Sequence, residues 1–158
     1  MTLADEAATA AAGAALARAL PPLGDRSLLL GLEGELGSGK TTLARGLLRA
    51  LGVTGTIRSP TFTLVEPYET AAGGIHHLDL YRLPPGAAGL EGLGYRDIRA
   101  WPGLVMVEWP ERAGSALGVP DLLGRLSHRA TGRELSLEAG SPAGAAWLDR
   151  LSSSAAGS

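Results

Sequence analysis

The stretch GELGSGKTT, from Gly34 to Thr42, constrains the fold of this chain more than any other feature. It follows a short, almost continuous apolar run, Ser27 to Gly34, which is typical of a buried strand. It precedes an amphipathic segment whose apolar residues between Leu43 and Leu51 share one helical face. A strand, a loop of the pattern G-x-x-x-x-G-K-T and a helix, in this order, predict a phosphate loop that binds a nucleoside triphosphate.

Each residue type in this loop has a physical task. Gly37 and Gly39 permit backbone conformations and a close approach to the ligand that a β-carbon would block. The loop N–H groups then converge on the phosphates, in front of the positive end of the helix that begins near Lys40. Lys40 is expected to reach the β- and γ-phosphates, and the Thr41 hydroxyl is expected to ligate Mg²⁺.

Lys40 is also the only lysine among the 14 basic residues, and the other thirteen are arginines. A compact ammonium on a flexible stem suits a small concavity, whereas the planar guanidinium of arginine is wider and needs a different geometry. The phosphate loop therefore explains why lysine is kept here, although the count by itself does not exclude chance.

Composition bounds the class of protein. The 158 residues predict a single P-loop ATPase domain over residues 1–151, followed by a disordered tail at residues 152–158. The net charge of −2 gives no basic field for DNA, and the absence of cysteine excludes disulfides and thiolate chemistry. Asp5 and Glu6 stand where a signal peptide would be basic, and no membrane span is evident, so we expect a cytoplasmic protein.

The rest of the chain alternates between apolar runs and turn signals. A helix is predicted from Thr2 to Leu20, where Pro21 ends it, and a loop with a short helix from Pro84 to Asp97. The predicted strands are Ser59 to Tyr68, Ile75 to Leu83, Leu104 to Trp109, and two weak strands within Leu122 to Leu137 that turn at Thr131-Gly132.

Two acidic residues occur in apolar strand-like runs, Asp79 in IHHLDLYR and Glu108 in LVMVEW. Each is a candidate ligand of Mg²⁺, and the simpler alternative is an ordinary surface acid at a strand end. An unpaired charge inside a run as apolar as LVMVEW is costly, which favours a partner such as a metal ion for Glu108.

The sequence also narrows the class of nucleotide-binding protein. It lacks an N-K-x-D element, which favours adenine over guanine, and it lacks the L-S-G-G-Q stretch of transport ATPases. A small-molecule kinase needs an arginine-bearing lid, and the spacing of Arg82, Arg96 and Arg99 matches no known lid. No acceptor pocket is evident either, so a kinase is disfavoured.

Four motifs, GELGSGKTT, SPTFTLVEPY, HLDLYRL and VEWPER, occur in the order and spacing of the TsaE family, and LEGLGYRD lies between the last two as it does there. The resemblance covers roughly Asp5 to Leu137. It implies an α/β, P-loop NTPase-like three-layer fold with a mixed, mainly parallel central sheet. It also implies a partner-stimulated ATPase of tRNA threonylcarbamoyladenosine biosynthesis. Such a protein binds ATP with Mg²⁺ and hydrolyses it to ADP. It acts on TsaD and TsaB, and it contacts tRNA only indirectly, through that complex.

The resemblance also assigns site residues. The catalytic residues would be Lys40, Asp79 and Glu108, and the Mg²⁺ ligands Thr41, Asp79 and Glu108. Nucleotide contacts would come from Gly37, Ser38, Gly39, Lys40, Thr41, Thr42, Thr61, Thr9 and Arg133, with Thr61 sensing the γ-phosphate and Thr9 near the adenine.

Three residues have open alternatives. Arg133 in TGREL would contact the nucleotide or, on the sequence alone, be an exposed turn arginine. Trp109 would pack beside the nucleotide or a partner, or simply in the core. His77 is interpreted as a hydrogen-bonded strand residue and not as a catalyst, because no acid–base constellation surrounds it in the sequence. For the whole chain, the alternative is a nucleotide-gated binding module in which ATP controls docking and hydrolysis is incidental.

Overall fold

The computed structural model describes residues 1–157. Within that range the strands are β1 Thr2–Leu3, β2 Ser27–Glu33, β3 Val65–Thr70, β4 Gly73–Asp79, β5 Gly103–Glu108, β6 Leu122–His128 and β7 Arg133–Ala139. The α-helices are α1 Glu6–Ala19, α2 Lys40–Ala50, α3 Ala87–Gly92, α4 Tyr95–Ala100 and α5 Pro142–Ala156, and a 3₁₀-helix spans Pro110–Leu117.

The strands form one seven-stranded sheet in the order β1-β7-β6-β2-β5-β4-β3. The four central strands are mutually parallel, with β2 between β6 and β5, and β4 beside β5. β3 and β7 run antiparallel to their neighbours at the two flanks. The prediction of a mixed, mainly parallel sheet is confirmed.

Side chains that alternate along β2 face two separate cores. Leu28, Leu30 and Leu32 pack in a cluster with residues of α1, α2 and α5 on one side of the sheet. Leu29 packs on the other side, with residues of α3, α4 and the 3₁₀-helix. Because both faces of the sheet are covered, the five inner residues of β2, from Leu28 to Leu32, carry no polar side chain and are buried. These two cores make the three layers expected for the fold.

Helices α1 and α2 approach each other very closely through glycine. A β-carbon on Gly13 would overlap the backbone of Leu43, and one on Gly46 would overlap the backbone of Ala10. This packing fixes the amino-terminal half of α1 beside the amino end of α2, where the phosphate loop lies.

The amino-terminal segment differs from the predicted helix over Thr2 to Leu20. Thr2 and Leu3 instead pair with Glu134 and Arg133 of β7 as a short edge strand. The helix begins only at Glu6, because the side chain of Asp5 accepts a hydrogen bond from the Ala8 amide at 2.8 Å and caps the first turn. The predicted strand from Ser59 is also shorter, since residues 59–64 form turns and β3 begins at Val65.

The carboxy-terminal segment differs from the predicted disordered tail, because residues 152–156 continue helix α5. Ser141 caps this helix by accepting from the Gly144 amide at 3.1 Å. Trp147 is fully buried, and its indole N–H donates to the Leu16 carbonyl at 2.9 Å. These contacts anchor α5 to α1, and the alanines of this segment favour the helix as well. Ser158, also part of the predicted tail, lies outside the described residues.

None of the helices in residues 1–157 combines the length and the apolar character that crossing a lipid bilayer requires.

Candidate functional site

A cleft of about 290 Å³ opens where β2, β4 and β5 end. Parallel strands present their carboxyl ends at one edge of the sheet, where α/β proteins place ligands. The lining residues come from the start of α1, the phosphate loop with the first turn of α2, the turn before β3, the ends of β4 and β5 with the residues that follow them, and the start of β7. They are Glu6, Leu36, Gly37, Gly39, Lys40, Thr41, Thr42, Thr61, Asp79, Tyr81, Glu108, Trp109 and Arg133.

The loop between β2 and α2 adopts backbone angles that favour glycine. Gly37 has φ +74° and Gly39 has φ +107°, and Gly39 occupies the N-cap position of α2. No side chain within residues 1–157 caps this helix, so the N–H groups of its first turn stay available. These amides and the helix dipole form an anion-binding site of the kind that phosphates occupy.

The Lys40 side chain is buried, with 5% of its surface exposed. Its ammonium donates to the carbonyl oxygens of Gly34 at 2.5 Å and Glu35 at 2.9 Å, within the same loop. Burial lowers the pKa of Lys40 below its ordinary value, while the nearby carboxylates of Glu108, Glu111 and Asp79 act in the opposite direction. The ammonium therefore stands at the cleft wall among acidic groups.

Glu108 ties the phosphate loop to the sheet. β5 lies directly beside β2, so Glu108 at its carboxyl end reaches the first turn of α2. The Thr41 hydroxyl donates to Oε1 of Glu108 at 2.8 Å, and Nε2 of His77 lies 2.6 Å from Oε2. Glu108 is only 2% exposed and His77 only 1%. Glu108 lies in an apolar strand, and its carboxylate is paired there through hydrogen bonds with Thr41 and His77.

Asp79 stands beside Glu108, because these two residues are register partners in β4 and β5. Its Oδ1 accepts from the Tyr81 amide at 2.9 Å, and its Oδ2 accepts a long hydrogen bond from the Thr61 hydroxyl at 3.4 Å. Burial raises the pKa of Asp79, and the negative charge of Glu108 adds to this. Asp79 is thus a buried carboxylate in the cleft and not an ordinary surface acid.

Trp109 lines the cleft and also packs against the core cluster that contains Leu29. It has φ +61°, an unusual conformation for a residue with a β-carbon, and its amide donates to the Leu32 carbonyl at 3.2 Å. The Lys40 ammonium lies 4.2 Å from the centre of the Trp109 ring, which is a cation–π distance. The centres of the Trp109 and Tyr81 rings lie 4.8 Å apart. Sequence reasoning missed Tyr81, although the quoted motif HLDLYRL contains it.

Thr9 and Arg133 meet near the phosphate loop. Arg133 donates from Nη1 to the Thr9 hydroxyl at 3.3 Å, and a β-carbon on Gly39 would lie 2.9 Å from the Arg133 guanidinium and 3.1 Å from the Thr9 methyl group. Only Arg133 lines the cleft, since Thr9 is fully buried and its hydroxyl donates to the Asp5 carbonyl. Ser38 is likewise buried under the loop. Arg133 therefore borders the cleft on the wall opposite Asp79 and Glu108.

No group of three or more histidine, aspartate or glutamate side chains in residues 1–157 is arranged to hold a metal ion alone. Mg²⁺ seldom needs such a group, because it binds through one or two protein oxygens together with substrate phosphates. The Thr41 hydroxyl and the Asp79 and Glu108 carboxylates are hard oxygen donors beside the phosphate loop. The donor set fits Mg²⁺ bound with a nucleotide.

The sequence matches a known family over most of its length. The family model of TsaE, described as threonylcarbamoyl adenosine biosynthesis protein TsaE, matches residues 3–135. The chain belongs to the TsaE family. This match includes every residue that lines the cleft, from Glu6 to Arg133, and it ends before α5.

Individual TsaE proteins and one solved structure agree with this. The chain is 38% identical to the Haemophilus influenzae tRNA threonylcarbamoyladenosine biosynthesis protein TsaE over 113 residues, 72% of this chain and 71% of that protein. It is 48% identical to the Nostoc TsaE over 84 residues, 51% of each chain. The crystal structure of Bacillus subtilis YdiB superposes with a TM-score of 0.78 at 26% identity, covering 96% of this chain and 91% of YdiB.

Proposed function

We propose that this TsaE-family chain binds ATP with Mg²⁺ in the cleft and hydrolyses it to ADP and phosphate, in the cytoplasm, as part of tRNA threonylcarbamoyladenosine biosynthesis. The observation that carries the proposal is the 2.8 Å hydrogen bond from Thr41 to Glu108. It joins the first turn after the phosphate loop to a carboxylate on the adjacent strand. A phosphate loop with a neighbouring acid is the minimum that metal-assisted phosphoryl transfer to water requires.

The geometry supports a division of roles among the cleft residues. The loop amides and the Lys40 ammonium would hold the phosphates and stabilise charge that develops on them. Bound with the nucleotide, Mg²⁺ would supply further stabilisation of negative charge. Thr41 and Asp79 would hold it, while Glu108 fixes the Thr41 hydroxyl and faces the attacking water. Arg133, on the opposite wall, would contact the nucleotide there.

We further propose that hydrolysis is slow in the isolated chain and is stimulated by TsaD and TsaB. Two exposed apolar side chains at the cleft support a docking partner, Leu36 with 64% and Phe62 with 81% of its surface exposed. Phe62 directly follows Thr61, the residue that reaches Asp79. A partner that covers Phe62 would therefore order the segment that borders the γ-phosphate position. In this arrangement tRNA is held by the partner complex.

The test is phosphate release from Mg-ATP by the purified chain, with and without TsaD–TsaB. We expect little turnover alone, a marked increase with the partners, and loss of that increase in Lys40→Ala and Glu108→Ala. Arg49→Ala, on the exposed side of α2, is the matched control and should behave as the parent chain. Rapid turnover without partners would contradict partner dependence, and full activity in Glu108→Ala would remove Glu108 from the catalytic set.

A nucleotide-gated binding module is the second candidate. The observation that favours it is that both carboxylate oxygens of Glu108 already accept hydrogen bonds from protein groups, which leaves neither wholly free to act on water. Glu108→Gln, which binds ATP but should not hydrolyse it, separates the two candidates. Several rounds of tRNA modification per molecule of this variant would support the module, and a single round would support the ATPase.

A further inference from the structure

His77 and Glu108 form a buried polar pair at the edge of the cleft. The His77 ring is 1% exposed and its Nε2 lies 2.6 Å from Oε2 of Glu108. His77 precedes Asp79 by two residues on β4, so both side chains project from the same face of the sheet. An ionised carboxylate can only accept, so Nε2 must carry the hydrogen in this contact.

This contact determines how Glu108 presents its other oxygen. A glutamate held by one hydrogen bond can still rotate about its terminal torsion, which has a broad energy profile. With Oε2 held by His77 and Oε1 by Thr41, the plane of the carboxylate is fixed. The Thr41 hydroxyl is fixed in turn, with its hydrogen directed to Glu108 and its lone pairs left for other partners.

The second ring nitrogen of His77 shows that folding alone does not explain this residue. Nδ1 is buried and has no hydrogen-bond partner in the part of the chain that the structure describes. A buried polar atom without a partner costs stability, and an apolar residue of similar size would avoid that cost. The contact of Nε2 with Glu108 offsets part of this cost by satisfying a buried carboxylate, and it also fixes where that carboxylate lies.

We propose that His77 is a positioning residue, which holds the Glu108 carboxylate on the Thr41 hydroxyl in the orientation that ATP hydrolysis requires. The inference deepens the proposed function and rests on it. It differs from the prediction that His77 is merely a hydrogen-bonded strand residue, because it assigns an effect on turnover. Residues that orient the groups around a metal site commonly change activity by about 10–100-fold when they are lost.

Three substitutions separate positioning from packing. Glutamine can place its side-chain amide near the position of Nε2, asparagine reaches only toward the position of Nδ1, and leucine fills space without a donor. We expect His77→Leu and His77→Asn to lower the TsaD–TsaB-stimulated kcat about 10–100-fold with KM for ATP within about twofold. His77→Gln should recover kcat to within about threefold of the parent chain. His76→Leu, on the opposite face of β4 and partly exposed, is the matched control.

Thermal unfolding of each variant shows whether it folds. Equal kcat in folded His77→Leu and the parent chain would overturn the proposal, as would a loss in His77→Leu that His77→Gln shares. If the parent chain itself shows no stimulated hydrolysis, the ATPase assignment fails, and a second measurement still tests the contact. In nitrogen-15 spectra of the histidine-labelled chain, we expect His77 protonated on Nε2 and altered in Glu108→Ala. Protonation on Nδ1 alone would exclude the positioning contact.

Discussion

The phosphate loop and the segment 59–64 border the same cleft, but they are held in different ways. Lys40 is 5% exposed and donates to two carbonyl oxygens of its own loop, while Thr41 is tied to Glu108 on the sheet. Phe62 is 81% exposed, and the hydroxyl of Thr61 reaches Asp79 only at 3.4 Å. Segments with few buried contacts open at low free-energy cost. The phosphate loop is therefore a wall of the cleft that the fold itself fixes. Segment 59–64 is an exposed wall, which a partner can rearrange.

Lys40→Arg should have the largest effect, because it alters the wall that the fold fixes. The planar guanidinium cannot enter the space beside the Gly34 and Glu35 carbonyl oxygens as the ammonium does. We expect stimulated ATP hydrolysis to fall by about 100-fold or more, the loss typical when a preorganised donor is removed. Binding of a fluorescent ATP analogue and phosphate release measure it. Arg45→Lys, the reverse exchange on α2, is the control. Activity near that of the parent chain would show that only charge is needed here.

Asp79→Asn tests the point where the two walls meet. The folded chain raises the pKa of Asp79 through burial, so the favourable contribution of this carboxyl is complete below its ordinary pKa of 3.8 and is lost as pH rises through the raised value. Asparagine carries no charge at any pH. Without nucleotide or Mg²⁺, we therefore expect the variant to have a higher Tm at pH 7 by about 2–4 °C, the shift that roughly 1 kcal/mol produces in a domain of this size.

The Tm difference for Asp79→Asn should narrow as the pH approaches 4, and calorimetry from pH 4 to 8 measures it. Stimulated hydrolysis should fall at least tenfold in the same variant, because a charged ligand and its contact to Thr61 are altered. Asp149→Asn, which removes an exposed carboxylate on α5 away from the cleft, controls for the loss of one negative charge alone. A lower Tm at pH 7 would show that the charge of Asp79 stabilises the fold.

These two walls also differ in how far the sequence predicted them. The phosphate loop was predicted closely, with α2 beginning at Lys40, because glycine placement and helical periodicity are local signals. Glu108 and Asp79 were found for the same reason, as carboxylates in apolar runs. The pairing of His77 with Glu108 depends on the register of β4 against β5, which no local pattern states. Residues 59–64 were predicted as the start of a strand that continues to Tyr68, yet they lie outside the sheet.

Helix α5 shows the same limit at the other end of the chain. The prediction of disorder from residue 152 onward rested on the position of this segment at the chain terminus, where order is usually low. Its order depends on Trp147, whose indole bonds to Leu16 on α1, 131 residues away. Tertiary contacts at that separation override local propensity and are not visible in one sequence.

Thr61→Val should have a smaller effect, because it alters only the exposed wall. Valine keeps the volume but removes the hydroxyl that contacts Ser59 at 2.7 Å and Asp79 at 3.4 Å. We expect about a tenfold loss of TsaD–TsaB-stimulated hydrolysis, with Tm nearly unchanged, since substitutions at exposed segments usually change stability by less than about 0.5 kcal/mol. Thr63→Val, two residues away and exposed, is the control. A loss of Tm by more than a few degrees would show that this wall is held as firmly as the other.

Phe62→Ala should have the smallest effect on the chain by itself and a selective effect on its partners. The ring is exposed, with the Arg82 guanidinium 4.7 Å from its centre, so its removal costs little folding energy. If TsaD–TsaB covers this segment, the variant should bind the complex several-fold more weakly in the presence of ATP, because aromatic anchors contribute strongly to interfaces. Its affinity for ATP alone should stay unchanged. Trp101→Ala removes another exposed aromatic ring at the opposite end of β5, 71% exposed, and should leave docking intact. Equal weakening by both substitutions would place the partner surface away from the cleft, and the exposure of Phe62 would then need another explanation.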